Sequence, residues 1–279
     1  MHPSSSLSGL TEAKPGAYGF LTDATLCIGC KACEVACKQW NQLPAEPSTF
    51  TGFSYDNTVD LGATTWRHVA FIEQSAPPPA VATPAGLGNP VSWLMVSDVC
   101  KHCVHAGCLE ACPTGAIVRT EFGSVYIRQD VCNGCGYCIP ACPFGVPALG
   151  LADSTAHKCT LCYDRLGAGL EPACAQSCPT DSIQFGLVEE LAPRAAARVA
   201  TLQAQGVAGA HVYGDRATGG TNGIGGLNAL FVLTAPPETY NLPANPTLPA
   251  DKVRPAFVST ALAAIGLALA GVIALRQPR

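Results

Sequence analysis

Charged residues are scarce in this chain: Asp, Glu, Lys and Arg make up 13% of the 279 residues, against about 25% in an ordinary soluble protein. Low charge with a mean hydropathy of +0.23 excludes a solvated, disordered chain and favours a membrane protein or one filled with cofactors. A basic excess is also lacking, since residues 1–250 carry 19 acidic and 12 basic residues, a net charge of −7. Binding to nucleic acid by charge is therefore excluded.

Motifs of bond-making catalysis are missing as well. The sequence has no Ser/His/Asp set, and the glycine-rich stretch from Tyr213 to Gly226 has neither G-x-G-x-x-G order nor a lysine after the glycines. We therefore interpret this stretch as a loop and not as a phosphate site. Residues 1–20 contain no apolar signal segment and no twin-arginine pair, so we expect the chain to rely on a signal-bearing partner for any export.

Cysteine, by contrast, is abundant: the chain has 16 cysteines, in four groups of four. The groups are Cys27, Cys30, Cys33 and Cys37; Cys100, Cys103, Cys108 and Cys112; Cys132, Cys135, Cys138 and Cys142; and Cys159, Cys162, Cys174 and Cys178. The first and third groups have the spacing C-x2-C-x2-C-x3-C, the run that holds cubane iron–sulfur clusters in bacterial ferredoxins. The sequence thus predicts iron bound through these sixteen thiolates.

The second and fourth groups are variants of that run, with four and eleven residues before the third cysteine. Proline follows Cys112, Cys142 and Cys178, as in the same signature, whereas Lys38 follows Cys37. Three thiolates within seven residues reach three irons of one cubane, and the fourth cysteine faces away and ligates another cluster. We therefore expect the clusters in pairs.

Two other uses of so many cysteines have to be weighed. Disulfides need an oxidising compartment and no triple spacing, and neighbours at C-x2-C are awkward to join. Structural zinc needs two C-x2-C pairs per ion and leaves the third cysteine of each triple without a use. Four cubanes already use all the thiolates, so His102 and His105 are expected beside the ligands or at the surface.

Patterns outside the cysteines predict a mixed helix and strand fold. Short strands are expected at 67–72, at 93–96 and at 182–185, and a hairpin around the turn Glu121–Ser124. Residues 191–205 place Leu191, Ala195, Val199 and Leu202 on one face, with Gly206 after them, as in an amphipathic helix. The proline-rich stretch 76–90 is predicted as loop.

The segment from Ala256 to Leu275 has 20 residues and no charge. At about 1.5 Å per residue it matches the roughly 30 Å hydrocarbon layer, so we predict a transmembrane helix after a proline-broken tether at 236–255. Small residues, Gly266, Ala270 and Gly271, suit close contact with another membrane helix. Two basic residues flank each end, so the positive-inside rule does not give the orientation.

Over residues 20–275 the chain resembles the iron–sulfur (beta) subunit of respiratory, membrane-bound formate dehydrogenase, among the four-cluster ferredoxin-like subunits of molybdopterin oxidoreductases. Four runs carry the resemblance: LCIGCKACEVACKQWN, CKHCVHAGCLEACPTGAI, CNGCGYCIPACPFGVP and HKCTLCYDRLGAGLEPACAQSCPTDSI. Departures are the loop at 76–90 and the weakly aromatic membrane helix. Neither touches a cysteine.

The resemblance implies an α+β fold of two ferredoxin-like modules, each with two [4Fe-4S] clusters, one module inserted in the other. The outer module would comprise 1–97 and 151–190, and the inserted module 98–150. Residues 191–255 would form a helix, loop and tether, and 256–275 the transmembrane helix.

It also implies four ligand sets, named here by their first cysteine. They are the Cys27 set (Cys27, Cys30, Cys33, Cys178), nearest the pterin subunit; the Cys159 set (Cys159, Cys162, Cys174, Cys37), second; the Cys132 set (Cys132, Cys135, Cys138, Cys112), third; and the Cys100 set (Cys100, Cys103, Cys108, Cys142), nearest the membrane.

The implied function is electron transfer without bond chemistry. Electrons from formate, oxidised at a molybdenum or tungsten bis-pterin in a separate catalytic subunit, would pass through this chain to a membrane cytochrome b subunit and quinone. The expected location is the cytoplasmic (inner) membrane, with a single span. The part of the chain before that span, called the head, is expected on the periplasmic face. The alternative is the equivalent subunit of a membrane hydrogenase or of a polysulfide or dimethyl sulfoxide reductase.

Four lysines adjoin the cysteines: Lys31, Lys38, Lys101 and Lys158. Positive charge beside a cluster favours its reduced, more negative form and raises its potential. The alternative is that these lysines are simply exposed.

Overall fold

The computed structural model of the chain describes residues 16–46, 50–52, 55–56, 58–74, 92–216 and 224–276. The predicted loop at 76–90 lies outside these residues, as do most of the first twenty residues and the centre of the predicted glycine-rich loop.

The described residues form ten strands and seven α-helices. The strands are β1 (Tyr18–Asp23), β2 (Arg67–Gln74), β3 (Ser92–Val99), β4 (Ile117–Arg119), β5 (Val125–Ile127), β6 (Ala148–Leu149), β7 (Ala156–His157), β8 (Ile183–Leu187), β9 (His211–Tyr213) and β10 (Ala229–Leu233). The helices are α1 (Ala32–Trp40), α2 (Gly107–Glu110), α3 (Cys138–Ala141), α4 (Tyr163–Gly167), α5 (Ala173–Gln176), α6 (Val188–Ala204) and α7 (Pro249–Arg276), with a 3-10 helix at Pro237–Tyr240.

A four-stranded sheet in the order β8-β1-β10-β9 forms the centre of the molecule. β1 runs parallel to β10 and antiparallel to β8, with Phe20 opposite both Ala229 and Phe185. Two of the four strands, β9 and β10, come from the segment predicted as helix, loop and tether. That segment therefore also supplies core strands to the sheet.

The two faces of this sheet have different neighbours. On one face Leu21, Leu230 and Val232 pack with α6, while the alternate residues Phe20 and Phe231 pack on the other face with a core that includes several cysteines. Side chains alternate across a strand, so a single run of apolar residues serves both faces. The sheet thus separates α6 from the cysteine groups.

The amphipathic helix predicted at 191–205 is α6, which begins at Val188. Leu191, Ala195 and Leu202 are buried on its inner face, as the spacing predicts, and Gly206 follows the helix with a φ of +92°. Arg198 on the same helix pairs with Asp23 of β1 at 2.7 Å. This ion pair fixes the helix against the sheet.

Three antiparallel hairpins lie around the central sheet: β2 with β3, β4 with β5, and β6 with β7. The first two and β8 confirm the strands predicted from the sequence, although β2 and β3 are each longer than expected. The structure is therefore a mixed α/β fold, as predicted.

The apolar helix α7 differs from its prediction at one end. The tether was expected to run to Pro255, but the helix already begins at Pro249, and the 3-10 helix Pro237–Tyr240 lies within the same segment. Proline is favoured in the first helical turn, where its missing N–H has no partner to lose. Within Pro249–Val272 a window of 18 residues has a mean hydropathy of 1.9 and no buried residue, so α7 is long and apolar enough to cross a membrane.

Candidate metal centres

All four cysteine groups begin with the same backbone kink. The residue before the second cysteine has a left-handed conformation in every group: Gly29 (φ +67°), His102 (+43°), Gly134 (+72°) and Leu161 (+61°). Two of these are glycine, which adopts positive φ without strain. In the fourth group the kink lets the Leu161 N–H donate to the Cys159 sulfur over 3.4 Å. The kink curls each loop so that its thiols face one region.

The third cysteine of each group lies in a short helix and is buried: Cys33 in α1, Cys108 in α2, Cys138 in α3 and Cys174 in α5. The fourth cysteine comes four residues later, which is about one helical turn. Helix α1 packs against α5, and α2 packs against α3. The structure therefore brings the first group to the fourth and the second group to the third.

In the outer pair of groups, the predicted partners are neighbours. Burial raises the pKa of Cys27, and the nearby thiols of Cys178 and Cys30 raise it further. Burial also raises the pKa of Cys162 to about 12, with Cys174 adding to the effect. Within the predicted Cys27 set, and within the predicted Cys159 set, these thiols thus lie close enough to oppose one another's ionisation.

In the inner pair, two cavities are lined by four thiols each. One is lined by Cys100, Cys103, Cys108 and Cys142. The other is lined by Cys112, Cys132, Cys135 and Cys138. Each combines three cysteines of one group with the last cysteine of the other, as in the predicted Cys100 and Cys132 sets.

The thiols suit an iron–sulfur cluster. Burial raises the pKa of Cys108 to about 12, against a lowering effect of Lys158, and burial raises the pKa of Cys138 to about 11. Thiols of this kind stay protonated at neutral pH until a positive metal centre replaces the protons. Among the described residues, no three His, Cys, Asp or Glu side chains are placed to hold a single metal ion. The thiols surround cavities instead.

His102 provides a second test of this fit. The ring is 1% exposed and lines the cavity of the Cys100 set. Its Nδ1 accepts a hydrogen bond of 3.0 Å from the Val125 N–H, so the proton of the neutral ring is on Nε2. In the described structure Nε2 has no partner. Such an unpaired donor at the cavity wall suits a sulfur acceptor, while His105 is exposed.

Exposure distinguishes the four sets. All sixteen cysteines are described, and two of them are exposed: Cys30 of the Cys27 set and Cys135 of the Cys132 set. The Cys159 set is buried throughout, and the Cys100 set has no exposed member. Two sets therefore approach the surface and two lie inside.

Neighbours across the sets give a linear order. Three thiols whose pKa is raised mainly by burial have it raised further by a cysteine of another set: Cys33 by Cys174, Cys159 by Cys100, and Cys108 by Cys138. The sequence of neighbours is Cys27 set, Cys159 set, Cys100 set, Cys132 set. The predicted order relative to the partner subunits, with the Cys132 set third and the Cys100 set last, stays a prediction.

The lysines divide into two kinds. Lys101 and Lys158 are 1% and 3% exposed, so the alternative that they are surface lysines is wrong. Lys31 and Lys38 are part-exposed and pair with Glu34 and Glu46 at 3.5 and 3.4 Å. The two buried lysines line the cavity of the Cys100 set.

Sequence reasoning missed Arg67, which is 1% exposed and donates to the Cys174 sulfur over 3.3 Å. A signal was present: Arg67 opens the predicted strand at 67–72, two residues before Val69 and hence on the same face. A cation on the buried face of a strand needs a negative partner.

Comparison with known proteins agrees with this site. A family model described as a 4Fe-4S dicluster domain matches residues 91–188. The fold and the cysteine arrangement therefore define an electron-transfer protein with [4Fe-4S] clusters as cofactors.

Relatives specify the family. The chain is 39% identical to a formate dehydrogenase iron-sulfur subunit of Haemophilus influenzae over 96% of this chain and 84% of that protein. It is 41% identical to the iron-sulfur subunit of the nitrate-inducible formate dehydrogenase of Escherichia coli, over 82% and 73%. The B subunit of the anaerobic dimethyl sulfoxide reductase of Escherichia coli is 36% identical over 62% and 75%. This chain belongs to the formate dehydrogenase iron–sulfur subunit family.

Proposed function

We propose that this chain carries electrons from a formate-oxidising catalytic subunit with a molybdenum or tungsten bis-pterin to a membrane cytochrome b subunit and quinone. The observation that carries the proposal is the row of four cysteine sets with exposed members at its two ends, Cys30 and Cys135. [4Fe-4S] clusters supply one-electron steps when bound. Buried sets in the middle and accessible sets at the ends suit a protein that takes electrons from one partner and gives them to another.

The ligand sets of this proposal are the four that the family resemblance implies. Support comes from the packing of α1 on α5 and of α2 on α3, and from the two four-thiol cavities of the inner groups. We accordingly propose two ferredoxin-like modules, an outer one built from the first and fourth groups and an inserted one from the second and third.

We propose the Cys132 set, in place of the Cys100 set, as the site nearest the cytochrome, and keep the Cys27 set nearest the pterin subunit. Helix α7 supports this direction. The preceding Leu248 is buried against Gly107 of α2, so α7 leaves the head beside the inner module. The inner module, which contains both the Cys100 and the Cys132 sets, then faces the membrane, and of these two sets only the Cys132 set has an exposed cysteine, Cys135.

For α7 we propose a single membrane span in the cytoplasmic membrane, with the head on the periplasmic face. Its apolar side chains are exposed, including Leu267 at 75% and Leu275 at 89%. Lipid and a neighbouring helix of the cytochrome subunit would cover this surface.

A second candidate function has one observation in its favour, the similarity to the B subunit of a dimethyl sulfoxide reductase. In that case electrons would run through the same sets in the opposite direction, toward a reductase subunit. A polysulfide reductase or a membrane hydrogenase would use the chain in an equivalent way.

The test is purification of the native complex through a tag on this chain. We expect a large pterin-containing subunit and a cytochrome b to co-purify, and formate to reduce both the clusters and a quinone analogue. Reoxidation of the clusters by dimethyl sulfoxide or polysulfide, without reduction by formate, would assign the second candidate function instead. Iron and acid-labile sulfide near 16 each per chain are expected from four cubanes, whereas zinc in their place would reject the electron-transfer role.

A further inference from the structure

Arg67 is a buried cation without a carboxylate partner in the described part of the chain. It is the first residue of β2 and is 1% exposed, and none of the ion pairs among the described residues includes it. Its Nε has no hydrogen-bond partner there either. An unpaired buried charge is strongly destabilising, so a negative group must compensate Arg67.

The contacts of Arg67 point to two cysteine sets at once. Nη2 donates to the sulfur of Cys174 over 3.3 Å, and Nη1 donates to the carbonyl and hydroxyl oxygens of Ser97 over 3.3 and 3.4 Å. The Ser97 hydroxyl in turn lies 3.3 Å from the sulfur of Cys33. A continuous polar bridge therefore runs from Cys33 of the Cys27 set to Cys174 of the Cys159 set.

The fold holds this bridge in place. Arg67 and Ser97 belong to the paired strands β2 and β3, where Ser97 is opposite Val69. The guanidinium carbon of Arg67 lies 4.6 Å from the centre of the Phe20 ring, which belongs to the central sheet. Cation–ring contact and two hydrogen bonds to Ser97 leave the charge little freedom. These contacts hold the guanidinium between the two sets.

We propose that Arg67 is a positioning residue that serves as the shared counter-charge of the Cys27 and Cys159 clusters and raises the reduction potentials of both. The inference rests on the ligand sets of the proposed function. One-electron reduction adds one negative charge to a cluster, and a fixed cation nearby stabilises the reduced form. In the low-dielectric interior that effect is larger than at the surface.

Ser97 adds an asymmetry that separates this role from simple packing. Its hydroxyl reaches Cys33, whereas Arg67 reaches Cys174. Loss of the hydroxyl leaves Arg67 bound to the Ser97 carbonyl, so it should affect the Cys27 cluster alone, whereas loss of the guanidinium should affect both. A residue needed only to fill space would move neither potential while the clusters stay bound.

The test is a mediator-based redox titration of the purified complex, followed by electron paramagnetic resonance, for Arg67→Met, Arg67→Lys and Ser97→Ala. Arg198→Met is the matched control, because Arg198 lies on the opposite face of the sheet and pairs with Asp23. Signals are assigned with Cys30→Ala and Cys162→Ala. No formate is used, so formate oxidation, measured separately, tests the proposed function independently.

With full iron content, Arg67→Met should shift the potentials of the Cys27 and Cys159 clusters to more negative values. The potentials of the Cys100 and Cys132 clusters should stay unchanged. Arg67→Lys should shift the Cys27 and Cys159 potentials less, Ser97→Ala should shift the Cys27 cluster only, and Arg198→Met should shift none. Unchanged Cys27 and Cys159 potentials in a fully loaded Arg67→Met complex would overturn the proposal. If that variant loses iron, Ser97→Ala decides: a negative shift confined to the Cys27 cluster supports the bridge, and no shift overturns it.

Discussion

The second cysteine of each group occupies the same place in four similar loops, yet its exposure is graded. Cys30 and Cys135 are exposed, Cys103 is intermediate and Cys162 is buried. The loop itself does not set this difference, because all four share the left-handed kink. The difference therefore comes from the structure around each loop, so the exposure of this one residue reports how deep its set lies in the protein.

At the residue scale, Cys135→Ala tests whether the row is a single path. Loss of one thiolate opens one iron of the Cys132 cluster, so we expect the variant to lack that cluster and to lose quinone reduction. Formate oxidation with an artificial dye at the catalytic subunit should persist. Cys135 is exposed, so little packing is lost. Wild-type quinone reduction in a variant shown by spectroscopy to lack this cluster would reject a serial path.

At the scale of elements, the kinked loops need space as well as flexibility. A Cβ on Gly134 would lie 2.2 Å from the Ser154 carbonyl oxygen, whereas one on Gly115 would meet nothing within 4 Å. Both glycines have positive φ, +72° and +67°. The two positions thus share the same backbone demand and differ in steric room.

We expect Gly134→Ala to lower iron content at the Cys132 set and Gly115→Ala to leave it unchanged. An alanine at positive φ costs about 1 kcal/mol in either place, and only at Gly134 is the clash with Ser154 added. Iron and sulfide counts with thermal unfolding compare the pair. Equal losses in the two variants would show that backbone strain alone decides.

The contact between α1 and β2 contains a buried charge cluster with a pH dependence. Burial alone would lower the pKa of His68, but the carboxylates of Asp56 and Glu34 raise it to about 9. The ring nitrogens lie 2.9 Å from Asp56 and 3.5 Å from Glu34, and Lys31 also pairs with both carboxylates. The protonated ring is therefore the form that the folded protein favours.

Because the pKa of His68 is raised on folding, its contribution to stability is complete below about pH 6.5 and is lost as the pH rises through about 9. From that shift we expect a loss on the order of 3 kcal/mol. Unfolding of the wild type and of His68→Gln across pH 6 to 10 measures it. A variant whose stability falls with pH as steeply as the wild type would contradict this assignment.

The same elements show what a sequence can reveal. The spacing of the cysteines predicted clusters in pairs, because three near thiolates and one far thiolate follow from a local loop and helix, whereas the pairing of particular groups came from the family resemblance. The helical spacing of Leu191 and Ala195 likewise predicted which face of α6 is buried. The proximity of Cys159 and Cys100 was not predicted, since it depends on the tertiary packing of segments far apart in the chain. The place of β9 and β10 in the central sheet was not predicted either, because the parallel pairing of β10 with β1 joins residues some two hundred positions apart.

At the scale of the whole molecule, the head folds around its own core and α7 contributes nothing to that core. The most apolar window of 18 residues within Pro249–Val272 contains no buried residue. Leu248 and Asp251 tie the end of the head together, since the Asp251 carboxylate accepts from the Leu248 N–H over 3.3 Å. A chain ending at Lys252 keeps this contact and loses the apolar surface.

Truncation after Lys252 should therefore give a soluble head that keeps all four clusters and still accepts electrons from formate through the catalytic subunit. It should no longer reduce quinone, because the Cys132 end would not be held at the cytochrome. Iron content, sedimentation and formate-dependent reduction of the clusters measure these three outcomes. A truncated head that sediments with membranes in the absence of its partners would show that α7 is not the anchor. A structure of the complex with the Cys27 set at the cytochrome would reverse the direction of the row.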